Sequence, residues 1–225
     1  MATRSYVSPL RTAAAGEKRA RVIKAAGHLL REEASIAGFS LDAVAKTAGV
    51  TRLTVYKQFG SRRGLLEAVF DERAREGGLG RIREAMALAD PHAALDHLIE
   101  IFCGFWSSDE AVGRLHDAAA TDAEFAQALA ARNERRRDAI AVLVGRMAPQ
   151  IDNRARDYRR DYRDVVDLIF GLTSYAMFRV LRTDRAPEAV CTIVKSACSA
   201  VIDRLNGPGS GLQQVSGLSV DRATV

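Results

Sequence analysis

Apolar side chains recur at spacings of three and four residues along most of this chain, and this periodicity constrains its fold more than any other feature. The clearest case is the segment 187–205, which places Val190, Ile193, Val194, Ala197, Cys198, Val201, Ile202 and Leu205 on this pattern. Such spacing produces one apolar stripe along one face of an α-helix. We find no convincing alternation of apolar and polar residues of the kind that a half-buried strand requires. The sequence therefore predicts an all-α fold.

Several short helices are predicted in the first third of the chain. A long amphipathic helix from about Glu17 to Glu33 is followed by helices at Leu41–Ala48 and Arg52–Phe59 and by a fourth after Ser61. Ser40, Thr51 and Ser61 each stand where an N-cap hydroxyl is expected, and Gly49 and Gly60 end the two short helices. Two short helices joined by a tight glycine turn, behind a longer supporting helix, are typical of a helix-turn-helix unit.

Basic residues are concentrated in this first third. Residues 1–75 hold 14 Lys and Arg against 7 Asp and Glu, a net charge of +7, whereas residues 76–225 hold 19 against 21, a net charge of −2. This asymmetry favours a polyanionic partner bound at one end, although a solvated basic surface has the same composition.

The segment "TRLTVYKQF" has the residue types of a helix that enters a DNA major groove. Val55 and Phe59 are four residues apart and are predicted to face the core together. That leaves Thr51, Arg52, Thr54, Tyr56 and Lys57 on the outward arc. Arg and Lys can reach base acceptors or phosphates, and hydroxyl groups can bond phosphate oxygens. The next helix begins Ser61-Arg62-Arg63, so its N-terminus could bind one more phosphate.

The run "SLDAVAKTAGVTRLTVYKQFGSRRGLL" resembles the DNA-binding domain of the tetracycline-repressor (TetR) family, and the likeness covers Val22 to Phe70. Matching positions are Ala45, Ala48, Gly49, Val50, Thr51, Thr54, Tyr56, Phe59, Ser61 and Leu65 or Leu66. Leu53 departs from the pattern, because this family usually has glycine there. Arg62 replaces the usual lysine, and Arg63-Gly64 stands where an acidic residue is common.

The resemblance implies roles for individual residues. It implies that Thr51, Thr54, Tyr56 and Arg62 contact phosphates, that Arg52 and Lys57 lie nearest the bases, and that Ser40 meets the backbone from the preceding helix. The predicted partner is a palindromic double-stranded operator, bound by a homodimer.

The resemblance also implies that the larger C-terminal part is helical and both dimerises and binds a small apolar or amphipathic effector. The segments 163–183 and 187–205 are the predicted dimer helices, being the most apolar and the last. Candidate pocket residues are mostly aromatic: Phe102, Phe105, Trp106, His116, Phe125, Phe170, Tyr175 and Phe178. Plain core packing is the alternative for each of them, and His116 and Tyr175 are the better candidates for polar contacts with a ligand.

Four segments are predicted in all. They are a flexible basic arm at 1–16, the helix-turn-helix domain at 17–75, the ligand-binding and dimerisation domain at 76–205, and a disordered tail at 206–225. The run "GGLG" at 77–80 suggests a hinge between the two domains.

Enzyme and membrane functions are not indicated. The chain has no P-loop, no GxGxxG after a strand, no GxSxG elbow and no HExxH motif, and we predict neither a cofactor nor a metal site. His97 and Glu100 form one HxxE pair, which is too few ligands for a metal. The N-terminus has no signal-peptide core, and three cysteines without a CxxC pair favour the reducing cytoplasm.

The sequence therefore predicts an effector-responsive transcriptional regulator, of which a repressor is the favoured form. Two alternatives remain open: a regulator or activator that needs no ligand, and a small-molecule-binding protein that has lost DNA binding.

Overall fold

A computed structural model describes residues 9–32, 36–147 and 156–206. These residues form helices and no strand, which confirms the predicted all-α class. The helices are α1 (Pro9–Glu32), α2 (Leu41–Ala48), α3 (Arg52–Phe59), α4 (Arg62–Glu76), α5 (Ile82–Ala87), α6 (Pro91–Ser108), α7 (Glu110–Ala119), α8 (Ala123–Met147), α9 (Arg156–Leu172), α10 (Tyr175–Leu181) and α11 (Pro187–Asn206). Short 3-10 turns lie at Ile36–Gly38 and Leu79–Arg81.

Helices α1 to α4 pack around one apolar centre. Helix α1 contacts both α2 and α4, and α3 lies against α2 and α4. Val22, Val44, Val55, Leu65 and Val69 are fully buried there, which accounts for the apolar spacing along all four helices.

Helix α6 is central to the second group of helices. It packs against α5, α8 and α11, while α9 packs against α8 and α11. Helices α1 and α4 contact α7, so buried apolar residues run continuously from the first group into the second. Helix α4 ends at Glu76, beside the predicted domain boundary, and the "GGLG" run forms its C-cap and the following turn.

The N-terminal arm predicted over residues 1–16 is partly wrong. Helix α1 begins at Pro9, because proline is well suited to the first helical turn and the following "RTAAAGEKRA" contains mostly helix-favouring residues. Residues 1–8 of that arm and residues 207–225 of the predicted tail lie outside the described residues.

Two long helical runs are each divided. The run Glu110–Met147 is two helices, and Asp122 Oδ1 accepts a hydrogen bond from Phe125 N at 3.0 Å. The predicted dimer helix 163–183 is α9 and α10. Ser174 adopts an extended conformation and caps α10, while the Thr173 carbonyl turns towards Trp106 Nε1, 3.1 Å away.

Candidate nucleic-acid interface and aromatic site

The α2–turn–α3 unit is positioned by the caps that the sequence predicts. Ser40 Oγ accepts from Ala43 N at 3.1 Å and Thr51 Oγ1 accepts from Thr54 N at 3.2 Å, so each hydroxyl caps one helix. Gly49 ends α2 with φ +63°, a left-handed conformation that costs glycine little. Ser61 caps α4 in the same way, through Gly64 N at 3.1 Å.

One face of α3 is free and the other is buried. Val55 and Phe59 are buried on the side of α3 that packs against α2 and α4, as their spacing predicts. Thr51, Arg52, Tyr56 and Lys57 are exposed on the opposite side. Thr54 is half-buried, and its hydroxyl lies 2.9 Å from that of Thr51. The arrangement therefore brings four of the seven predicted DNA-contacting residues onto α3 and a fifth, Thr51, to its N-cap, with Ser40 exposed as the N-cap of α2.

Leu53 is the most unusual member of this face. Its side chain is 58% exposed, as is that of Tyr56 three residues later. The neighbouring Arg52 Nε lies 3.6 Å from Asp42 Oδ1 at the beginning of α2, and both side chains remain largely in solvent. Exposed ion pairs of this kind contribute little to stability, so the guanidinium is free to reorient towards a partner.

Arg19 supports α3 from behind, a role for which we made no prediction. Its Nη1 donates to Gln58 O at 3.3 Å, and its Cζ lies 4.5 Å from the centre of the Phe59 ring. The cation thus interacts with a carbonyl at the C-terminal end of α3, where the helix dipole favours positive charge. Its place on α1, 39 residues before Gln58, gives no sequence signal.

Arg62 lies at the start of α4 as predicted, but its side chain has partners within the protein. Its Nη1 donates to Asp122 Oδ2 at 2.8 Å and its Nε donates to Phe39 O at 3.2 Å. The side chain is half-buried between α4 and the start of α8, whereas the six other predicted residues belong to α2, α3 and their caps. A phosphate contact by Arg62 would require the pair with Asp122 to open.

A second carboxylate joins the two groups of helices. Asp109, the N-cap of α7, accepts from Arg31 Nη1 at 2.8 Å and from Arg73 Nη1 at 2.7 Å. Burial alone would raise the pKa of Asp109. The hydrogen bonds from Ala111 N and Arg73 outweigh this effect and hold the pKa below its usual value. Asp109 and Asp122 could have been recognised as helix caps from sequence, but their arginine partners could not.

Most of the predicted pocket residues meet around Trp106. The centre of the indole lies 4.8 Å from the ring of Phe105, 5.3 Å from His116, 5.7 Å from Tyr175 and 6.1 Å from Phe102. The rings of His116 and Tyr175 are stacked at 4.3 Å. We call Phe102, Phe105, Trp106, His116 and Tyr175 the aromatic cluster.

The protonation of His116 follows from its contacts. Its Nδ1 lies 2.9 Å from Val112 O, and because a carbonyl only accepts, Nδ1 carries the proton. Burial lowers the pKa of His116 below its ordinary value, so the ring is neutral at pH 7 with Nε2 as a free acceptor. Tyr175 packs directly over Gly113, where an added Cβ would lie 2.4 Å from the phenol oxygen.

The other predicted pocket residues have separate places. Phe178 lines a crevice with Ile99, Phe102, Trp106 and Thr173, and this crevice has no room for a water molecule. Phe170 lies between two arginines, and the Cζ atoms of Arg136 and Arg137 are each 4.0 Å from its ring centre. Phe125 is buried at the start of α8 and makes no ring contact with the cluster in the described part of the chain.

The HxxE pair is linked to two other side chains. His97 Nδ1 lies 3.2 Å from Glu100 Oε2, Arg81 approaches the other ring nitrogen at 3.5 Å, and Lys195 binds Glu100. Within residues 9–32, 36–147 and 156–206, no group of three His, Cys, Asp or Glu side chains could hold a metal ion. None of the helices that these residues form is long and apolar enough to cross a bilayer.

Comparison with known proteins finds a family model that matches most of the first group of helices. Residues 22–69 match the family model described as bacterial regulatory proteins, tetR family. The HTH-type transcriptional regulator EthR of Mycolicibacterium smegmatis is 34% identical over 101 residues, which are 44% of this chain and 46% of that protein. The chain therefore matches about half the length of this relative.

Solved structures share the whole fold. A transcriptional regulator of the TerR/AcrR family from Aquifex aeolicus superimposes with a TM-score of 0.60 at 12% identity, over 82% of this chain and 99% of the other. NalD, the secondary repressor of the MexAB-OprM multidrug efflux pump in Pseudomonas aeruginosa, has a TM-score of 0.54 at 18% identity, over 83% and 96%. Residues 22–69 of this chain therefore match the tetR family of bacterial regulatory proteins, and the solved structures share its all-α fold.

Proposed function

We propose that this protein is a cytoplasmic, homodimeric transcriptional regulator that binds a palindromic operator through α3. The observation that carries the proposal is the free face of α3, where Thr51, Arg52, Tyr56 and Lys57 are exposed while Val55 and Phe59 hold the helix against the core. A helix held in this way at the protein surface fits a major groove, and its exposed groups are donors suited to phosphates and base edges.

The exposed side chains on α3 and its flanking caps fall into two groups, according to whether they would contact bases or phosphates. Arg52 and Lys57 have the longest side chains on the face and would read base acceptors. The hydroxyls of Ser40, Thr51, Thr54 and Tyr56 would bond phosphates and set the register of the helix. Leu53 has no polar group and would meet the only apolar feature of a base edge in the major groove, the thymine methyl.

We expect a two-fold symmetric dimer, because the short helix α3 of one subunit can contact only a few bases. A dimer can place two copies of α3 in successive major grooves about 34 Å apart, which doubles the number of base contacts. We assign the dimer surface to α9 and α11, which pack together and expose Leu168 (49%) and Ile193 (39%). Val180 on α10 is also exposed and lies in the same C-terminal stretch of the chain.

The aromatic cluster and the adjoining crevice support a small-molecule effector. An apolar site with a few polar groups, here His116 and Tyr175, is what small ligands require. A ligand that prefers a dimer with wrongly spaced α3 helices would release the operator, because binding shifts the equilibrium towards the state with higher affinity. A typical coupling is about 1–3 kcal/mol, which changes DNA affinity about 5–150-fold and is sufficient for a repressor.

A regulator that needs no ligand is the second candidate. The observation that favours it is the tight packing of the crevice, which has no room for a water molecule. Thermal unfolding against a metabolite panel separates the two functions, because a ligand that binds only the folded state raises the melting temperature.

The proposal is tested by mobility shifts with the DNA upstream of the protein's own gene and with genomic fragments selected for binding. We expect a discrete complex with a palindromic site that is lost when both Arg52 and Lys57 are replaced by Ala. Retention of the complex by that double variant would remove α3 from the interface. Failure of the native protein to select any fragment would favour a small-molecule-binding protein that has lost DNA function.

A further inference from the structure

Arg136 on α8 is a buried cation that pairs with no carboxylate of residues 9–32, 36–147 or 156–206. Its side chain is only 6% exposed, and Nη1 donates to Phe170 O at 2.7 Å and to Thr173 Oγ1 at 2.6 Å. Its Nε is buried and has no hydrogen-bond partner. Among the residues that the structure describes, no carboxylate lies within ion-pair distance of this guanidinium.

The surroundings compensate this charge only in part. The Phe170 carbonyl lies in the last turn of α9, where the helix dipole offers a partial negative charge. The neighbouring Arg137 adds a second positive charge, which is paired with Glu134 and Asp167. Glu134 also adds a negative charge that acts on Arg136 from beyond ion-pair distance. Burial lowers the pKa of Arg136 to about 10, so it remains protonated at pH 7. A buried charge of this kind is normally paired with an opposite charge.

Arg136 adjoins the apolar crevice through two of the residues that line it. Its Cζ is 5.6 Å from the ring of Phe102, and it bonds Thr173; both residues line the crevice with Trp106 and Phe178. A cation therefore adjoins an apolar crevice, and its Nε–H is a donor that has no partner among the described residues.

We propose that the effector of this protein is an amphiphile with a carboxylate at one end. The carboxylate pairs with Arg136 and accepts from its free Nε–H, which supplies the missing negative charge. The apolar chain extends past Phe102 and Trp106 towards Phe178. The crevice widens on binding, because its present space excludes even water. The inference rests on the effector part of the proposed function and names the chemical class of the ligand.

The test compares the binding of ligands that have the same alkyl chain but different head groups. Saturated carboxylates of 8, 12 and 16 carbons are titrated below their micelle concentrations, beside the alcohols and amines of the same lengths. Trp106 is the single tryptophan of the chain, so its fluorescence reports entry into the site directly. Thermal unfolding provides the second measurement. We expect at least one carboxylate to bind about tenfold more tightly than its matched alcohol, a difference of about 1.4 kcal/mol.

Three variants test whether the preference for a carboxylate depends on Arg136. Arg136→Gln is expected to remove the preference for the carboxylate over the alcohol, and Arg136→Lys is expected to retain part of it. Arg135→Gln is the matched control, since Arg135 is the exposed preceding residue on the same helix and its loss changes the net charge equally.

Three outcomes would overturn the inference. They are equal binding of acids and alcohols, a carboxylate preference that survives Arg136→Gln, and the absence of binding by every carboxylate. In each case Arg136 would only cap the C-terminal end of α9, and its replacement would lower stability without affecting ligand choice. Operator binding by the ligand-free protein is measured separately, so failure of the carboxylate site is distinguishable from failure of the proposed DNA function.

Discussion

Arg62 Nη1 donates to Asp122 Oδ2 across 2.8 Å, and this ion pair ties the first turn of α4 to the cap of α8. The same carboxylate accepts from Phe125 N through its other oxygen, at 3.0 Å. Together with the contacts of Asp109 to Arg31 and Arg73, the pair links the helices that carry α3 to those that surround the aromatic cluster. Each carboxylate lies at the beginning of a helix in the second group, so a shift of α7 or α8 would be transmitted to α1 and α4.

Replacing Arg62 distinguishes two roles of its side chain, the ion pair with Asp122 and a contact with a DNA phosphate. We expect Arg62→Gln and Asp122→Asn each to lower the free energy of unfolding by about 1 kcal/mol, because a half-buried charge-assisted bond is lost. Urea unfolding measures this effect, with Asp138→Asn on the exposed side of α8 as the control. We also expect Arg62→Gln to leave the salt dependence of operator binding unchanged. A slope reduced by about one unit would instead establish Arg62 as a phosphate contact.

Alanine at Arg52 or Lys57 is expected to weaken specific operator binding by about 1–3 kcal/mol, since each side chain is exposed on α3 and can reach a base edge. Fluorescence anisotropy with a labelled operator measures the change. Lys24→Ala is the control, because Lys24 is exposed on α1 and carries the same charge. Equal losses in all three variants would indicate a general electrostatic effect without base contacts.

Leu53 is expected to read a thymine methyl. Replacing each thymine of the operator in turn by deoxyuridine removes one methyl group, and burial of such a group is worth about 0.8 kcal/mol, or roughly fourfold in affinity. One position in each half-site should show this loss with the native protein and no loss with Leu53→Ala. A thymine preference that persists in the variant would assign the methyl contact to another residue.

The proposed dimer is expected to depend on Leu168 and Ile193. Aspartate at both positions places charges in an apolar contact, so sedimentation at micromolar concentration should find a monomer, and operator affinity should fall at least tenfold. Leu88→Asp is the control, because Leu88 is comparably exposed but precedes α6. A native protein that sediments as a monomer would end the dimer proposal.

Stability is expected to fall as the pH decreases from 7.5 to 5.5. Burial lowers the pKa of His116 in the folded state, so below the ordinary value of 6.5 the unfolded chain binds a proton that the folded chain does not. The neutral His116 ring therefore favours the folded state fully above pH 6.5. This contribution to the free energy of unfolding is lost as the pH falls from 6.5 towards the lower pKa that His116 has in the folded protein. Melting temperatures at the two pH values should differ less in His116→Gln than in the native protein, and an unchanged difference would exclude this histidine as the cause.

The sequence by itself determined the helical elements and the face of α3. Periodicity placed Val55 and Phe59 inward, and the caps at Ser40, Thr51 and Ser61 defined the starts of α2, α3 and α4, because these signals involve residues within one helical turn of each other. The aromatic residues that meet around Trp106 were also identifiable as a set, since large rings on apolar helix faces are buried together.

Only the tertiary structure decided which charges are paired and where the long helices break. Arg62 and Asp122 are 60 residues apart, and the bond from Trp106 to the Thr173 carbonyl spans 67 residues, so no local pattern contains either contact. The same holds for Arg136, which has the sequence context of a surface arginine in the run "NERRRD" and is buried because α8 packs against α6 and α9. Short-range spacing specifies a helix and its faces, whereas the partner of a side chain depends on how the helices pack.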